Sequence, residues 1–342
     1  MIHDYLQKKI DNSYDILKTA AKISKEYYHK PLILTYSGGK DSDVMLQLAL
    51  ECLDTDEFEV LNSHTTVDAP ETVYYIREKF KELEAKGVKT TIQMPRYQDG
   101  RFKSIWTLIV DKEMPPTRLA RYCCKELKET SAPNRMVAVG VRESESIKRR
   151  GRDTFSLRGK NKTEYLYYDI KHVKEVFEDD VRLRKEGEVG ANTEGVWDCT
   201  FIARAKKNND IVCNPIYKWL DNEVWMFIED RGMKYNPLYD KGFTRVGCIG
   251  CPLAYNQAKE LEMYPKYKQN YINAFQRMLE KRRAKGKDDI TVKGGLHKLT
   301  DGEVVYRWWT NDDSIEGQMD IFEFLDEEKA ENSIGGKFIE RW

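Results

Sequence analysis

The feature that most constrains this chain is a glycine-rich turn between an apolar run and a helical pattern. Residues 32–48 read LILTYSGGKDSDVMLQL. The apolar run suits a buried strand, and after the turn the apolar residues recur at helical spacing. A glycine-rich turn at a helix N-terminus presents unpaired backbone N–H groups at the positive end of the helix dipole. The turn therefore predicts an anion site of the kind that binds phosphate.

The side chains of this turn fit a site for phosphate and a metal ion. The glycines at 38–39 let the backbone approach a phosphate, Lys40 adds a positive charge, and Ser37 and Ser42 add hydroxyl donors. Asp41 would repel a phosphate, but its carboxylate can hold Mg²⁺ against one. The spacing of the Walker loop, GxxxxGK[ST], is absent. An ordinary glycine turn between a strand and a helix is the alternative interpretation.

The surrounding sequence alternates strand-like and helix-like segments. An amphipathic N-terminal helix is predicted first, and helices are also predicted over residues 104–112, 117–128 and 259–285. The predicted strands are residues 32–34, 58–61, 88–94 and 136–141. This alternation indicates a parallel, twisted α/β sheet flanked by helices, with a smaller helical C-terminal region.

Three polar segments follow predicted strands, and ligands of such sheets bind at the carboxyl ends of strands. These segments are the glycine-rich turn, residues 64–68 and residues 140–142. Asp68 in the second segment can also cap the helix that follows it, together with Glu71. We expect the three segments to meet in one crevice.

Composition excludes several other kinds of protein. Aromatic residues make up 11% of the chain beside 33% charged residues, which predicts a globular protein rather than a disordered one. Lys+Arg and Asp+Glu both number 57, so the net charge gives no general attraction to nucleic acid. No apolar run is long enough for a bilayer, and the first residues lack a signal-peptide core. We expect a cytoplasmic protein without membrane contact, in which cysteines do not form structural disulfides.

Four of the seven cysteines form two close pairs. Cys123 and Cys124 are adjacent in RYCCKELK, and Cys248 and Cys251 form a CxxC in RVGCIGCP. Four thiolates suit a tetrahedral metal site or an iron–sulfur cluster. Adjacent cysteines are unusual in structural zinc sites, so the pattern favours a [4Fe–4S] cluster, with Zn²⁺ and buried free thiols as alternatives.

The other cysteines have less specific surroundings. Cys52 falls on the apolar face of the helix after the glycine-rich turn, which indicates a packing role. Cys199 and Cys213 are either a redox or sulfur-carrying pair or two ordinary buried thiols.

The turn resembles the SGGxDS pyrophosphate loop, or PP-loop, of the ATP pyrophosphatase superfamily and the sulfonucleotide reductases. Over most of residues 30–265 the chain is similar to the phosphoadenosine phosphosulfate reductase family. Besides the turn, the matching segments are residues 65–72 (TTVDAPET), 121–128 (RYCCKELK), 140–149 (GVRESESIKR), 214–225, 235–239 and 242–248. Their order along one chain makes coincidence a poor explanation.

This resemblance implies an adenine nucleotide α-hydrolase-like fold that binds ATP and Mg²⁺. It implies an N-terminal helix over residues 1–29, a PP-loop domain with an iron–sulfur site over 30–265, and a C-terminal extension over 266–342. The implied catalytic residues are Lys40, Asp41 and Arg142. The implied nucleotide-binding residues are Ser37, Gly38, Gly39, Lys40, Asp41, Ser42, Asp68, Gly140 and Arg142, and the implied cluster ligands are Cys123, Cys124, Cys248 and Cys251.

One departure from the family pattern narrows the implied function. Sulfonucleotide reductases of the family carry a C-terminal Glu-Cys-Gly segment whose cysteine attacks sulfur, whereas no cysteine follows Cys251 here. The remaining features resemble the DndC- and SspD-type proteins of bacterial DNA phosphorothioation. That resemblance implies an ATP pyrophosphatase that adenylates a DNA backbone phosphate for sulfur insertion. Its partners would be a cysteine desulfurase as sulfur donor and other subunits of a modification complex.

Three other functions stay open. They are a sulfonucleotide reductase-like redox enzyme, a tRNA-thiolating enzyme, and a non-catalytic subunit that binds a nucleotide and a cluster. For nucleic acid, the basic segments 147–152, 182–185 and 281–287 are candidate contacts with the phosphate backbone, and solvated surface is the alternative.

Overall fold

The computed structural model describes residues 4–129, 132, 134–145, 154–158, 163–167, 190–191, 197–198, 201–205, 210–292 and 297–310. The chain forms two compact units that interleave along the sequence. The first consists of Met1–Pro95 with Leu127–Gly247, and the second of Arg96–Glu126 with Cys248–Trp342. The domains predicted from the family resemblance, with boundaries at residues 30 and 266, are a different division and stay a prediction.

The strands in the described residues form one main sheet and three short pairs. In chain order they are β1 Leu32–Thr35, β2 Phe58–Ser63, β3 Lys89–Gln93, β4 Met136–Ala138, β5 Phe155–Arg158, β6 Thr163–Tyr167, β7 Gly190–Ala191, β8 Trp197–Asp198, β9 Phe201–Ala205, β10 Asp210–Cys213, β11 Thr291–Val292 and β12 His297–Lys298. The main sheet has the order β3-β2-β1-β4-β10-β5. Its first five strands are parallel and β5 is antiparallel, which confirms the predicted α/β fold.

The helices are α1 Asp4–Ile23, α2 Lys40–Cys52, α3 Pro70–Ala85, α4 Ile105–Lys112, α5 Tyr122–Cys124, α6 Asp221–Asp230, α7 Gln257–Met263, α8 Pro265–Ala284 and α9 Gly302–Thr310. Turns of π-helix follow α1 and α5, and a turn of 3₁₀-helix spans Glu143–Glu145. Among the helices that the structure describes, none combines the length and the hydropathy needed to cross a membrane.

The first unit has its core between the sheet and helices α1 and α2. Leu32 and Leu34 of β1 are fully buried, and so are Leu6 and Ile10 of α1 and Val44 of α2. Each such side chain contributes roughly 1.5–3 kcal/mol to folding by leaving water. The predicted N-terminal amphipathic helix is confirmed, and its buried stripe joins this core.

The second unit is centred on helix α8. Tyr271 of α8 is buried between the rings of Trp106 and Trp309, whose centroids lie 4.7 and 4.6 Å from its own. A single helix over 259–285 was the wrong prediction, because Pro265 lacks a backbone N–H and begins a new helix. A helix over 117–128 was also wrong at its start. There the Thr117 hydroxyl accepts a hydrogen bond from Ala120 N at 2.9 Å, which holds a turn instead.

Candidate functional site

The three polar segments predicted to converge do follow neighbouring strands of the first unit. Strands β2, β1 and β4 are adjacent and parallel, so their carboxyl ends share one edge of the sheet. The glycine-rich turn, residues 64–68 and residues 140–142 leave the sheet at that edge. The three segments therefore leave the sheet at one edge, and their meeting in one crevice stays a prediction. The site is described around the turn at residues 37–42, here called the phosphate loop.

Packing fixes the shape of the phosphate loop. Gly38 has a positive φ of 73°, and a Cβ there would lie 2.9 Å from Ile76 Cγ1. The buried Asn236 donates from Nδ2 to Gly38 O at 2.9 Å, and the Ser42 hydroxyl donates to Gly39 O at 2.7 Å. Because glycine is the residue that tolerates this backbone and this close approach, the loop is a preformed turn.

Gly140 allows the strand β4 segment to touch the phosphate loop. A Cβ at Gly140 would lie 3.0 Å from Asp41 O and 3.2 Å from Ser42 N. Both are backbone atoms in the first turn of α2, and they cannot swing aside as the tip of a side chain can. The predicted role of Gly140 in the nucleotide site thus has a steric basis in close backbone approach.

Gly140→Ala is expected to displace the first turn of α2 and to weaken nucleotide binding at least about tenfold, with roughly 1–3 kcal/mol lost in the free energy of unfolding. The measurement is calorimetric titration with ATP, alongside urea denaturation. Gly247→Ala is the matched control, because its Cβ would meet the flexible Arg245 side chain at 3.6 Å. Unchanged ATP affinity in Gly140→Ala would contradict this steric account.

Lys40 is a buried cation at the start of α2. Its side chain is only 6% exposed, and Nζ lies 3.0 Å from Asp221 Oδ1. Nζ also stands 5.7 Å from the Trp225 ring centroid and 5.4 Å from that of Tyr239, close enough for cation–π attraction. The aromatic rings shield the ammonium group from water, which strengthens its interaction with any anion.

Arg142 supplies a second buried cation at the same place. Its side chain is 5% exposed, its Nε donates to Asp41 Oδ1 at 2.5 Å, and one terminal nitrogen donates to Asp221 Oδ1 at 2.7 Å. Lys40 and Arg142 thus share the carboxylate of Asp221. Asp41, predicted to hold Mg²⁺, is held by Arg142 in this structure, and its metal role stays a prediction.

The hydroxyl group of Tyr239 is hydrogen-bonded to the first backbone N–H group of helix α2. The backbone N–H of Lys40 donates to the Tyr239 hydroxyl oxygen at 2.9 Å. That oxygen would also lie 3.4 Å from a Cβ placed at Gly39. The phenol accepts a bond here and keeps its own O–H proton for a further acceptor, so it can donate to an oxygen bound at the loop.

Asp68 lies in the turn between β2 and helix α3. The helix begins at Pro70 with Ala69 at its N-cap position, and the predicted capping box of Asp68 and Glu71 stays a prediction. Asp68 Oδ2 accepts a hydrogen bond from Thr65 N at 3.0 Å and stabilises the turn that leaves β2. Its predicted contact with a nucleotide is left as a prediction. Ser146, Arg149, Cys199 and the segments 147–152 and 182–185 lie outside the described residues.

A buried carboxyl lies directly beneath the loop. Asp43 is 2% exposed, and its Oδ1 accepts from the Tyr36 hydroxyl at 2.5 Å. Burial raises the pKa of Asp43 to about 7, against the smaller opposing effects of the Tyr36 hydrogen bond and the charge of Lys79. The folded state therefore holds a proton on this group at pH values where the unfolded chain, with a pKa of 3.8, has lost it.

This raised pKa predicts a particular pH dependence of stability. Because the native state binds the extra proton, the contribution of Asp43 is complete below pH 4 and is lost as the pH rises to about 7. The Asp43→Asn variant lacks this titrating group, so its free energy of unfolding should not fall between pH 5 and pH 8 for this reason. The difference in free energy of unfolding, variant minus natural chain, should therefore be roughly 2–3 kcal/mol larger at pH 8 than at pH 5. Urea denaturation at the two pH values measures this, and parallel pH profiles would contradict it.

The four predicted cluster cysteines come together in the second unit. Cys123 and Cys124 lie in α5, and Cys251 N donates to Cys248 O at 3.2 Å in the CxxC turn. The pKa of Cys123 is raised well above its ordinary value, first by its hydrogen bond with Cys124, then by burial and by the charges of Cys124, Cys248 and Cys251. All four sulfurs are therefore within electrostatic range of one another.

The CxxC turn is held rigidly. Gly250 has a φ of 71°, and a Cβ there would lie 2.9 Å from Leu261 Cδ2. The Tyr271 hydroxyl donates to Ile249 O at 3.1 Å. The CxxC turn therefore has a fixed shape, and its role with Cys123 and Cys124 as cluster ligands stays a prediction.

The thiol chemistry fits an iron–sulfur cluster or zinc, because four mutually repelling thiolates are stabilised by bound metal. Within the described parts of the chain, no group of three or more His, Cys, Asp or Glu side chains is placed to hold a metal ion. The six described cysteines form no disulfide, and Cys213 is buried in the core.

The basic segment 281–287 was a candidate contact for nucleic acid, and the structure pairs its charges within the second unit. Lys281 lies 3.1 Å from Asp111, Arg283 lies 2.7 Å from Asp289, and Lys285 and Lys287 both contact Glu113. These carboxylates reduce the positive field that a phosphate backbone would meet.

Two residues of the loop site were not predicted from the sequence. Asp221 lies within the matching segment 214–225 and Tyr239 within 235–239, and neither residue was singled out. Both lie about two hundred residues from Lys40 along the chain, so local patterns could not connect them. Their only sequence signals were an acidic residue at a helix start and an aromatic residue beside Asn236 and Pro237.

The chain matches one protein family and is similar to several known proteins. A family model described as the phosphoadenosine phosphosulfate reductase domain matches residues 31–254. Two uncharacterised proteins of Methanocaldococcus jannaschii are 28% and 24% identical over 291 and 267 residues, which cover 81% and 76% of this chain. Those alignments cover 56% and 44% of the relatives, so this chain spans only about half of their length. An adenosine 5'-phosphosulfate reductase of Staphylococcus epidermidis is 35% identical over 51 residues, 15% of this chain and 21% of that enzyme.

Similar folds also occur among solved structures. A phosphoadenylyl-sulfate reductase from Candida auris, in a phosphate complex, has a TM-score of 0.40 at 13% identity and covers 72% of this chain and 96% of its own. A tRNA thiolase from Methanococcus maripaludis with its [4Fe–4S] cluster has a TM-score of 0.35 at 13% identity, covering 86% and 87%. These scores are too low for either likeness to bear on function.

Proposed function

The chain belongs to the phosphoadenosine phosphosulfate reductase family, and we propose that it is an ATP pyrophosphatase of the PP-loop type. In this proposal it cleaves ATP between the α and β phosphates and leaves an adenylated acceptor. The observation that carries the proposal is the pair of buried cations, Lys40 and Arg142, at the N-terminus of α2 beside a preformed glycine turn.

Each part of the loop has a role in this reaction. An acceptor oxygen forms a bond to the α-phosphorus while the bond from that phosphorus to the bridging oxygen breaks. The electron pair leaves with pyrophosphate, which gains negative charge. Lys40, Arg142 and the backbone N–H groups of the phosphate loop stabilise that charge, and Tyr239 can donate a further hydrogen bond.

The residues of this chain fit two bound groups, a Mg²⁺ ion and a metal centre held by cysteines. Mg²⁺ would be held by Asp41, and it would neutralise phosphate charge. A [4Fe–4S] cluster, or zinc in its place, would be held by Cys123, Cys124, Cys248 and Cys251, and it would supply sulfur binding or a structural support. Arg142 now holds the Asp41 carboxylate by one oxygen, which leaves the other oxygen for a cation.

The acceptor that we propose is a DNA backbone phosphate, with a cysteine desulfurase as sulfur donor and other subunits of a modification complex as partners. The support is the family membership together with the two buried cations beside the phosphate loop. The segment 281–287 is not part of this support, because four of its basic side chains are paired with carboxylates.

The acceptor is tested by measuring the single-turnover release of pyrophosphate. Anaerobically purified protein with Mg-ATP is mixed with duplex DNA, with tRNA or with adenylylsulfate, each with and without a cysteine desulfurase and cysteine. Faster pyrophosphate release with DNA, followed by phosphorothioate in the recovered DNA, is the expected result. If only tRNA accelerated pyrophosphate release, the acceptor would be tRNA rather than DNA. If the protein formed sulfite from adenylylsulfate, it would be a reductase rather than an adenylating enzyme.

A further inference from the structure

The carboxylate of Asp221 contacts both Lys40 and Arg142, the two buried cations beside the phosphate loop. Its Oδ1 lies 3.0 Å from Lys40 Nζ and 2.7 Å from a terminal nitrogen of Arg142. The three groups lie in the first unit, at the first residue of α6, the start of α2 and the end of the β4 segment. One carboxylate oxygen thus accepts from both buried cations, as an oxygen of a bound phosphate would.

The exposures of these groups are unequal. The side chains of Lys40 and Arg142 are 6% and 5% exposed, while that of Asp221 is 60% exposed. The two cations are therefore held by surrounding protein, and the carboxylate reaches them from the solvent side. A surface carboxylate can rotate into water at small cost, whereas the buried cations need an anion near them.

The ionisation of Asp221 agrees with this arrangement. Partial burial would raise the pKa of Asp221, but the hydrogen bond and charge of Lys40 and the charge of Arg142 outweigh it and hold the pKa below its ordinary value. Asp221 is therefore a carboxylate under physiological conditions.

We propose that Asp221 is a specificity-determining residue that occupies the phosphate position of the loop and is displaced by a polyphosphate chain. A pyrophosphate or nucleoside triphosphate carries enough negative charge to replace one carboxylate between two cations. A singly charged anion does not, so Asp221 keeps weak anions out of the loop. The inference rests on the proposed function only in taking the ligand to be a polyphosphate.

Asp221→Asn tests this directly, because the amide keeps the size of the side chain and removes its charge. Binding of Mg-free inorganic pyrophosphate, measured by calorimetry, should become about tenfold tighter, because nothing negative then competes for Lys40 and Arg142. The ligand-free variant should melt at a lower temperature, since two buried cations have lost their anion. Added pyrophosphate should raise its melting temperature by more than it raises that of the natural chain.

Asp230→Asn is the matched control, since Asp230 ends the same helix and pairs with Arg231. Its pyrophosphate affinity should equal that of the natural chain. Unchanged or weaker pyrophosphate binding by Asp221→Asn would overturn the inference, and lower melting alone would show a purely structural role. Because the titration involves no turnover, tighter pyrophosphate binding without ATP cleavage would leave the inference standing and the proposed function refuted. If the natural chain cleaved ATP but Asp221→Asn had unaltered pyrophosphate affinity, the proposed function would stand and the inference about Asp221 would be refuted.

Discussion

Lys40→Met is expected to lower the rate of pyrophosphate release from Mg-ATP by about 10²–10³-fold, the range found when one preorganised donor to a developing charge is removed. Methionine keeps the length and the apolar contacts of the side chain between Trp225 and Tyr239. It removes only the ammonium group that faces the leaving phosphates.

The variant should stay folded. The partner of Lys40 is Asp221, whose side chain is 60% exposed and can turn to water when the cation is gone. Removing one partner of an ion pair is costly when the remaining charge is buried and unpaired, whereas Asp221 is exposed and keeps Arg142 as a partner. A loss of rate with an unchanged melting temperature would therefore report charge stabilisation rather than collapse of the loop.

Lys234→Ala is the control for this prediction. Lys234 is 80% exposed and makes one long contact, 3.4 Å, to Glu82 on the surface. It should release pyrophosphate at the natural rate. If Lys40→Met did so as well, the charge of Lys40 would have no part in the reaction.

The second large effect is expected at the four cysteines. Protein reconstituted anaerobically with iron and sulfide should show the visible absorption of an iron–sulfur cluster. Each of Cys123→Ser, Cys124→Ser, Cys248→Ser and Cys251→Ser should lose nearly all of that absorption, because a [4Fe–4S] cluster takes one thiolate for each iron.

Cys52→Ser is the matched control for the cysteine variants. Burial raises the pKa of Cys52 to about 12, so it is a poor thiolate ligand, and its replacement should leave the cluster intact. Iron and zinc are measured on the same samples. Zinc instead of iron, lost in the same four variants, would assign the site to zinc, and metal retained by all four would refute the site.

The parts of the fold that could be predicted are those set by local sequence. The strand, glycine turn and helix at residues 32–48 follow from apolar spacing and from the two glycines, and the structure has them as β1, the phosphate loop and α2. The family resemblance added Arg142, which the structure places at Asp41. The helix break at Pro265 was available from local sequence too and was overlooked.

The rest depended on contacts between distant segments. Asp221 and Tyr239 reach Lys40 only after the sheet has formed, and no spacing rule connects them. The basic segment 281–287 was a candidate contact for a phosphate backbone, with solvated surface as the alternative. Its pairing with Asp111 and Glu113 was not predicted, because these carboxylates lie far away in sequence. Charge balance of this kind is decided by tertiary packing, which a charge pattern along one helix does not contain.

The most direct test of the proposed function is to determine which phosphate bond of ATP is cleaved. Mg-ATP labelled separately at the α and γ phosphates is incubated with anaerobically purified protein, with and without duplex DNA, and the products are separated. The account predicts labelled AMP or an adenylated acceptor from the α label and labelled pyrophosphate from the γ label. Labelled inorganic phosphate with ADP, or no labelled product under any condition, would contradict it.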